Sequence, residues 1–202
     1  GLGDVYKRQA QDAFAGVDRA ACGIEHVLVP EGVTLPGAAS FEDLLLSEPA
    51  PLVDRAADDL AMLVFTSGTA GAPRAAMLTH GNLLSNLDQV HAHPGNDIRS
   101  DDVALGVLPL FHIYGLNSSL LLALRSGACT VLVQRFDPAS ALETIRTRRV
   151  TVMAGVPPMY EAWLAMPESG ATRADFATVR LAASGASRLD PVTSAAFRDR
   201  FG

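Results

Sequence analysis

The chain has 202 residues, of which 49% are hydrophobic and 19% charged, and its formal net charge is −6. This composition is typical of one folded domain or part of a larger one, and it excludes an intrinsically disordered protein. The acidic balance argues against nucleic acid as a partner, and the most apolar stretch, 116–133, is interrupted by polar residues and predicts no transmembrane segment.

The ends of the chain and its cysteines add three expectations. Residues 1–9 have no hydrophobic periodicity, and we interpret them as a non-native scar outside the fold. The chain begins with Gly1 and ends within a helical pattern, so we expect a fragment of a longer protein. Cys22 and Cys129 have neither metal-site spacing nor a disulfide pattern, which favours a reducing, cytoplasmic location.

The first half of the chain alternates short apolar runs with polar connectors. A serine N-cap and acidic residues predict a short helix over 40–46. Leucines at helical spacing predict a second helix from about Gly81. Strands are predicted over 24–30, 60–66 and 75–79, the second of them buried.

The second half repeats a strand-then-helix pattern. Strands are predicted within 101–112, 129–134, 150–158 and 179–187, and helices within 115–128, 136–149, 159–166 and 190–201. Gly127 is the expected stop of the first of these helices. Asp137 and Pro138 form an N-cap and first-turn pair that opens the second, and Asp190 opens the last in the same way.

Alternating strands and helices with continuously apolar strands predict an α/β fold. The expected architecture is a mostly parallel, doubly wound sheet with helices on both faces. Ligands of such sheets bind at the loops that leave the carboxyl ends of the strands. Three loops of suitable composition follow predicted strands, at 66–75, 109–115 and 184–188.

The loop over 66–75 has the composition of a phosphate-binding loop. It supplies hydroxyl groups, glycines and one cation, at Thr66, Ser67, Gly68, Thr69, Gly71 and Arg74. Backbone N–H groups of a glycine-rich turn can surround an anion, and an arginine adds a bidentate donor. Composition alone fits an ordinary hairpin loop equally well, and the stretch matches neither a Walker loop nor a dinucleotide-binding motif.

The full stretch "TSGTAGAPRAAMLTHGNL" (66–83) resembles the phosphate-loop signature of the adenylate-forming (ANL) superfamily, the AMP-binding enzymes. Three further landmarks of that superfamily follow in order, as "LPLFHIYGL" (108–116), "RFDP" (135–138) followed by "VPPMY" (156–160), and "RLAASGAS" (180–187). Four ordered landmarks are much harder to obtain by chance than one, and among the members the chain resembles long-chain fatty-acyl-CoA synthetases.

The resemblance implies a fold, a reaction and its reactants. Residues 10–202 would be an incomplete N-terminal AMP-binding domain without the C-terminal lid domain. The full-length parent would be an acid–thiol ligase in which a carboxylate attacks the α-phosphate of Mg²⁺·ATP, and coenzyme A then displaces AMP to give a thioester. The implied acid is a fatty acid, and the fragment alone is expected to be inactive.

The resemblance also assigns roles to individual residues. The residues listed above in 66–75 would bind ATP phosphates. The acyl and adenylate pocket would be formed by His112, Tyr114, Gly115, Ser184, Gly185 and Ala186. Arg135 matches a basic residue that meets a phosphate of coenzyme A in some members. No metal ligand is assigned, because His91 and His93 lack a third ligand and fit a solvated turn.

Three departures from the superfamily pattern bear on activity. Ala70 replaces a hydroxyl residue, Arg74 replaces a lysine, and Ala75 replaces a glycine. A guanidinium keeps the charge but not the geometry of an ammonium. If these departures mark decay, the chain is a non-catalytic nucleotide-binding relic. An aryl-CoA ligase and a fatty-acyl-AMP ligase that serves an acyl carrier protein are separate alternatives, because the resemblance of "FHIYGL" extends to aryl-CoA ligases and the residues that distinguish these enzymes lie mostly outside this chain.

Overall fold

The computed structural model describes residues 12, 14–66, 74–95 and 97–202. The chain divides into two compact units, Gly1–Asp54 and Arg55–Gly202. In the first unit, strands β1 (Leu28–Val29) and β2 (Ala39–Ser40) pair in parallel, and helix α1 (Phe41–Leu45) follows directly. The Ser40 side chain accepts hydrogen bonds from the backbone N–H groups of Glu42 and Asp43, which confirms the predicted N-cap.

The second unit begins with an antiparallel hairpin of β3 (Leu60–Thr66) and β4 (Arg74–Thr79). Both strands were predicted, but β3 is largely exposed instead of buried, and it pairs outside the parallel sheet. The physical reason is the short connection, since seven residues can close a hairpin but cannot hold the crossover that a parallel pair needs. Helix α2 (His80–Ala92) follows, with a capping box between Thr79 and Asn82.

A four-stranded parallel sheet forms the centre of this unit. Its strands are β5 (Val103–Gly106), β6 (Cys129–Leu132), β7 (Val152–Gly155) and β8 (Leu181–Ser184), in the order β6-β5-β7-β8. This sheet with its crossover helices confirms the predicted α/β class.

The connections between these strands are helical, as predicted. After β5 come α3 (Ile113–Gly115), a π-helical turn (Leu116–Leu121) and α4 (Leu122–Ser126), which form one continuous helical segment. The other helices are α5 (Pro138–Arg148), α6 (Pro157–Ala165), a 3₁₀ turn (Arg173–Phe176) and α7 (Pro191–Phe201). Asp137 and Asp190 cap α5 and α7, and Gly127 ends α4 in the left-handed conformation at φ 72°.

Successive residues of the central strands point to opposite faces and meet two separate cores. Leu105 and Met153 face a cluster built on α5, α6 and α7, at the centre of which Trp163 is fully buried. Ala104 and Val152 face the other cluster, which contains Leu87 of α2. Both faces of this sheet are therefore covered, which is what its continuously apolar strands predict.

A buried charge network joins three strands at the amino-terminal edge of the sheet. Asp102, only 3% exposed, accepts hydrogen bonds from the Arg99 backbone N–H (2.7 Å), the Thr151 hydroxyl (2.6 Å) and the Arg180 guanidinium (Nε, 2.9 Å). These residues precede β5, β7 and β8. The network therefore ties the starts of neighbouring strands and helps to fix their register.

No helix among the residues the structure describes is long and apolar enough to cross a membrane. Within the same residues, no three His, Cys, Asp or Glu side chains cluster in a way that could hold a metal ion. Cys22 and Cys129 are free and exposed.

Candidate functional site

A cavity of about 490 Å³ lies between the central sheet and the helices on the α2 side. Its sheet wall comes from β5, β7 and β8, and its outer wall from α2 and the helical segment after β5. Most of the lining is apolar. The polar exceptions are Asn86, Asn117, Ser118, Ser119 and Ser184.

The cavity runs along the strands from their carboxyl ends toward their amino ends. Tyr114 and Ser184 lie at the carboxyl edge, whereas Val152 and Leu181 begin their strands. Three residue steps of β8 separate Leu181 from Ser184, which corresponds to a depth of about 10 Å. Leu122 and Ile98, both buried, line the end of the cavity near the amino ends of the strands, together with Val90. The shape suits a slender apolar group that enters from the carboxyl edge.

Tyr114 joins two of the predicted loops at the mouth of the cavity. Its hydroxyl donates to the Gly155 carbonyl oxygen at 3.2 Å, and the Gly185 backbone N–H donates to the same oxygen at 3.0 Å. The phenol ring lies so close to Gly185 that a Cβ there would come within 2.4 Å of Cζ. Burial raises the pKa of the Tyr114 hydroxyl, so it stays a neutral donor at neutral pH.

The remaining predicted pocket residues surround this contact. Gly115 is buried where a Cβ would come within 2.3 Å of the Pro109 carbonyl oxygen, so only glycine fits. Ser184 ends β8 and lines the cavity, and its buried Oγ has no hydrogen-bond partner among the residues that the structure describes. Ala186 adopts a left-handed conformation at φ 63°, which turns the chain sharply after Gly185.

His112 is held in a defined tautomer at the start of α3. Its Nδ1 accepts the backbone N–H of Tyr114 at 3.1 Å, and the side chain thereby caps the helix. A ring nitrogen that accepts a hydrogen bond carries no proton, so in the neutral ring Nε2 is the donor. The side chain is exposed, so this N–H is available to an incoming acceptor.

Only two of the predicted phosphate-binding residues lie in the part of the chain that is described. Thr66 ends β3 and pairs with Arg74, the first residue of β4, and its hydroxyl donates to the Arg74 carbonyl oxygen at 3.2 Å. The Arg74 side chain is exposed. Ser67, Gly68, Thr69 and Gly71, together with the departure Ala70, lie outside the described residues.

Arg135 belongs to a different part of the molecule. It lines a second cavity of about 790 Å³, whose wall includes Leu108, Phe111 and Met159. Its side chain is exposed and precedes the Asp137 cap of α5. The structure therefore brings Tyr114 together with Ser184 and Gly185, whereas Arg135 lines the second cavity with Phe111.

Among the residues that sequence reasoning missed, three form hydrogen bonds at or beside the 490 Å³ cavity. The Gly155 carbonyl is the shared acceptor for Tyr114 and Gly185, and a backbone group leaves no signal in the sequence beyond the glycine that ends β7. Asn86 and Asn117 form a side-chain hydrogen bond of 2.7 Å across the outer wall. Their sequence separation of 31 residues gives no local pattern that pairs them.

Comparisons with known proteins identify the family. Residues 7–202 match the AMP-binding enzyme family. 4-coumarate–CoA ligase 2 of Oryza sativa subsp. japonica is 36% identical over 205 residues, which cover 97% of this chain and 36% of that protein. A putative long-chain-fatty-acid CoA ligase from Rhodopseudomonas palustris is similar in structure, with a TM-score of 0.77, 31% identity, and coverage of 95% of this chain and 45% of that one.

A third similar protein was solved with its products. A malonyl-CoA ligase with methylmalonyl-CoA and AMP bound matches with a TM-score of 0.75 and 26% identity, over 91% of this chain and 41% of that chain. An α/β domain with its cavity at the carboxyl edge of a parallel sheet defines a class of small-molecule-binding proteins. Within that class, the chain belongs to the AMP-binding enzyme family. It spans 24% to 36% of the length of the first three curated relatives it matches.

Proposed function

We propose that the full-length protein containing this chain is an ATP-dependent acid–CoA ligase that activates an apolar, fatty or aromatic, carboxylic acid. The observation that carries the proposal is the mainly apolar cavity, lined by Tyr114 and Ser184, in a member of the AMP-binding enzyme family. Gly185 packs against Tyr114, and the exposed His112 lies two residues before this tyrosine. The fatty-acid preference expected from the sequence stays part of the proposal, with aromatic acids as the alternative that the relatives named for 4-coumarate support.

The proposed reaction has two balanced steps. A carboxylate oxygen of the acid bonds to the α-phosphorus of ATP, and the bond to the departing pyrophosphate breaks with its electron pair leaving on pyrophosphate. The thiol sulfur of coenzyme A then attacks the acyl carbon, AMP leaves with the bridging oxygen, and the thiol proton is released. Magnesium enters as part of Mg²⁺·ATP.

The residues of this chain act mainly by positioning and charge. Phosphoryl transfer requires alignment and neutralisation more than covalent help from the protein. In the proposal, Arg74 places a cation beside the phosphates, and the cavity holds the tail of the acid. The Nε2–H of His112 donates to the carboxylate, and Arg135, at the separate cavity, meets a phosphate of coenzyme A.

ATP–pyrophosphate exchange on the full-length protein tests the proposal. We expect exchange that depends on the added acid, across a panel of saturated fatty acids and aromatic propenoic acids, because only adenylate formation is reversed by pyrophosphate. The acid with the highest kcat/KM defines the substrate class. A folded protein that shows no exchange with any acid would instead be a nucleotide-binding relic.

A pair of His112 variants separates the helix cap from the proposed donor. His112→Asn keeps an acceptor atom for the Tyr114 N–H but lacks a donor at the position of Nε2. We expect it to unfold like wild type, whereas His112→Ala loses about 1 kcal/mol of stability with the cap. Both should lose exchange by about 10- to 100-fold, as expected for a lost hydrogen bond to a charged group.

Thermal unfolding and the exchange rate are measured on the same preparations. Retained exchange in a stable His112→Asn protein would show that the residue only caps α3. In that case the donor role proposed for Nε2 would be wrong.

A further inference from the structure

The outer wall of the cavity contains a side-chain hydrogen bond that links two helices. Asn117 Nδ2 donates to Asn86 Oδ1 at 2.7 Å, which joins the π-helical turn to α2, and both residues line the cavity. We name this pair the amide bar. Ser118 and Ser119 follow Asn117 in the wall, and the neighbouring helical positions are apolar, at Ile113, Val90 and Leu122.

The π-helical turn explains how so many polar residues reach one cavity. Asn117, Ser118 and Ser119 are consecutive, and all three line the cavity. The wider turn of a π-helix changes the phase of the helix face, and such turns are frequent at functional sites. Ser119 is 1% exposed, and within the described part of the chain its Oγ and the buried Asn117 Oδ1 have no hydrogen-bond partner.

Stability alone gives little reason for the amide of Asn117, whose Oδ1 is buried, whereas Asn86 is exposed to solvent. Buried polar atoms without partners cost free energy, whereas apolar side chains of similar size would continue the hydrophobic wall. The amide bar is not the main link that holds α2, because Leu87 of α2 packs in one apolar cluster with Leu122 of the helical segment, and Asp88 forms an exposed ion pair with Arg125 at 2.9 Å. Asn117 therefore places an amide in the cavity wall where packing alone would favour an apolar side chain.

We propose that Asn86 and Asn117 determine which acids fit, because the amide bar closes the side of the cavity. This inference rests on the proposed function. If the acid enters from the carboxyl edge, Leu122 and Ile98 limit the length of its tail at the far end of the cavity, and the amide bar limits it at the side. Asn86 is exposed to solvent, so removal of the bar opens a gap between α2 and the helical segment through which a longer tail can extend.

Binding of a chain-length series tests this assignment without requiring turnover. Saturated acids of increasing length are titrated calorimetrically into the full-length protein as wild type, Asn86→Ala and Asn117→Ala. In wild type we expect affinity to rise about fourfold per methylene until the tail reaches the bar, and then to level off. In both variants the rise should continue for about two more methylenes, a gain of about 16-fold for the longer acids.

Arg125→Met is the matched control. It breaks the ion pair between α2 and the helical segment, at a residue that does not line the cavity. It should level off at the same chain length as wild type. If it shifts the profile as far as the asparagine variants do, or if neither asparagine variant shifts it, the proposal is overturned. Equal affinity for the shortest acid shows that each variant is folded.

Exchange assays with the same acids keep the two proposals apart. If the acids bind with the expected profile but support no exchange, the proposed ligase function is contradicted and the proposal for the amide bar is not. Exchange with an unshifted profile in both asparagine variants contradicts the amide bar alone. A folded protein that binds none of the acids contradicts both.

Discussion

Gly185→Ala is expected to abolish acid-dependent exchange and to destabilise the protein by about 1–3 kcal/mol, the range for overpacking. The added Cβ would lie 2.4 Å from Cζ and 2.6 Å from Oη of Tyr114. The ring cannot easily move aside, because its hydroxyl is bonded to the Gly155 carbonyl oxygen, which Gly185 also uses. Relief of the clash therefore disturbs both loops at the mouth of the cavity.

The double variant Tyr114→Ala/Gly185→Ala identifies the cause. If the new methyl group clashes with the Tyr114 ring, the double variant should lose less stability than the sum of the losses in Tyr114→Ala and Gly185→Ala. Exchange should stay lost in it, since the ring that shapes the mouth is gone. A Gly185→Ala protein with wild-type exchange and unfolding would show that the two loops adjust freely. Chemical unfolding and exchange rates provide both readouts.

The elements that could be predicted from sequence are those with local causes. The Asp137 and Asp190 caps, each followed by proline, and the Gly127 stop depend on residues within one helical turn, and all three are observed. The parallel sheet follows from strands that are apolar on both faces. To predict how β3 pairs, the length of its connection to β4 has to be considered as well, and the apolar character of the strand gives no information on that.

The site was harder to predict, since its contacts join distant residues. The motifs selected Tyr114 and Gly185 separately, but their close contact depends on the register that sets Gly155 beside Ser184. The hydrogen bond between Asn86 and Asn117 depends on the phase of a π-helical turn, which helical spacing does not reveal. Such placements arise from the packing of whole elements.

Register at the carboxyl edge depends in turn on the charge network at the opposite edge. Asp102 binds the residues that precede β7 and β8, and these strands pair from Val152↔Leu181 to Gly155↔Ser184. A slip of one residue would turn the side chains of a strand to the other face. The network that fixes the strand starts therefore also supports the contact between Tyr114 and Gly185.

Asp102→Ala is expected to cost about 2–3 kcal/mol, the range for lost hydrogen bonds to a charged group, because Asp102 is buried while the Arg180 side chain is 31% exposed. It leaves the Thr151 hydroxyl, the Arg99 N–H and the Arg180 guanidinium without their shared acceptor. The double variant Asp102→Ala/Arg180→Met removes the charge left behind, so its loss should be smaller than the sum of the single losses. Additive losses in chemical unfolding would mean that the two charges do not interact.

The pH dependence of stability gives an independent check on the same carboxylate. Burial would raise the pKa of Asp102, but hydrogen bonds from Arg180, Thr151 and the Arg99 backbone outweigh it and lower the pKa to about 2 from 3.8. Because the pKa is lower in the folded state, the stabilisation is complete above about pH 5 and is lost as the pH falls from about 4 through 2. The lowered pKa corresponds to about 2 kcal/mol in the free energy of unfolding. Wild type should lose this amount over that range relative to Asp102→Ala, whereas parallel pH profiles of the two proteins would show that Asp102 titrates normally.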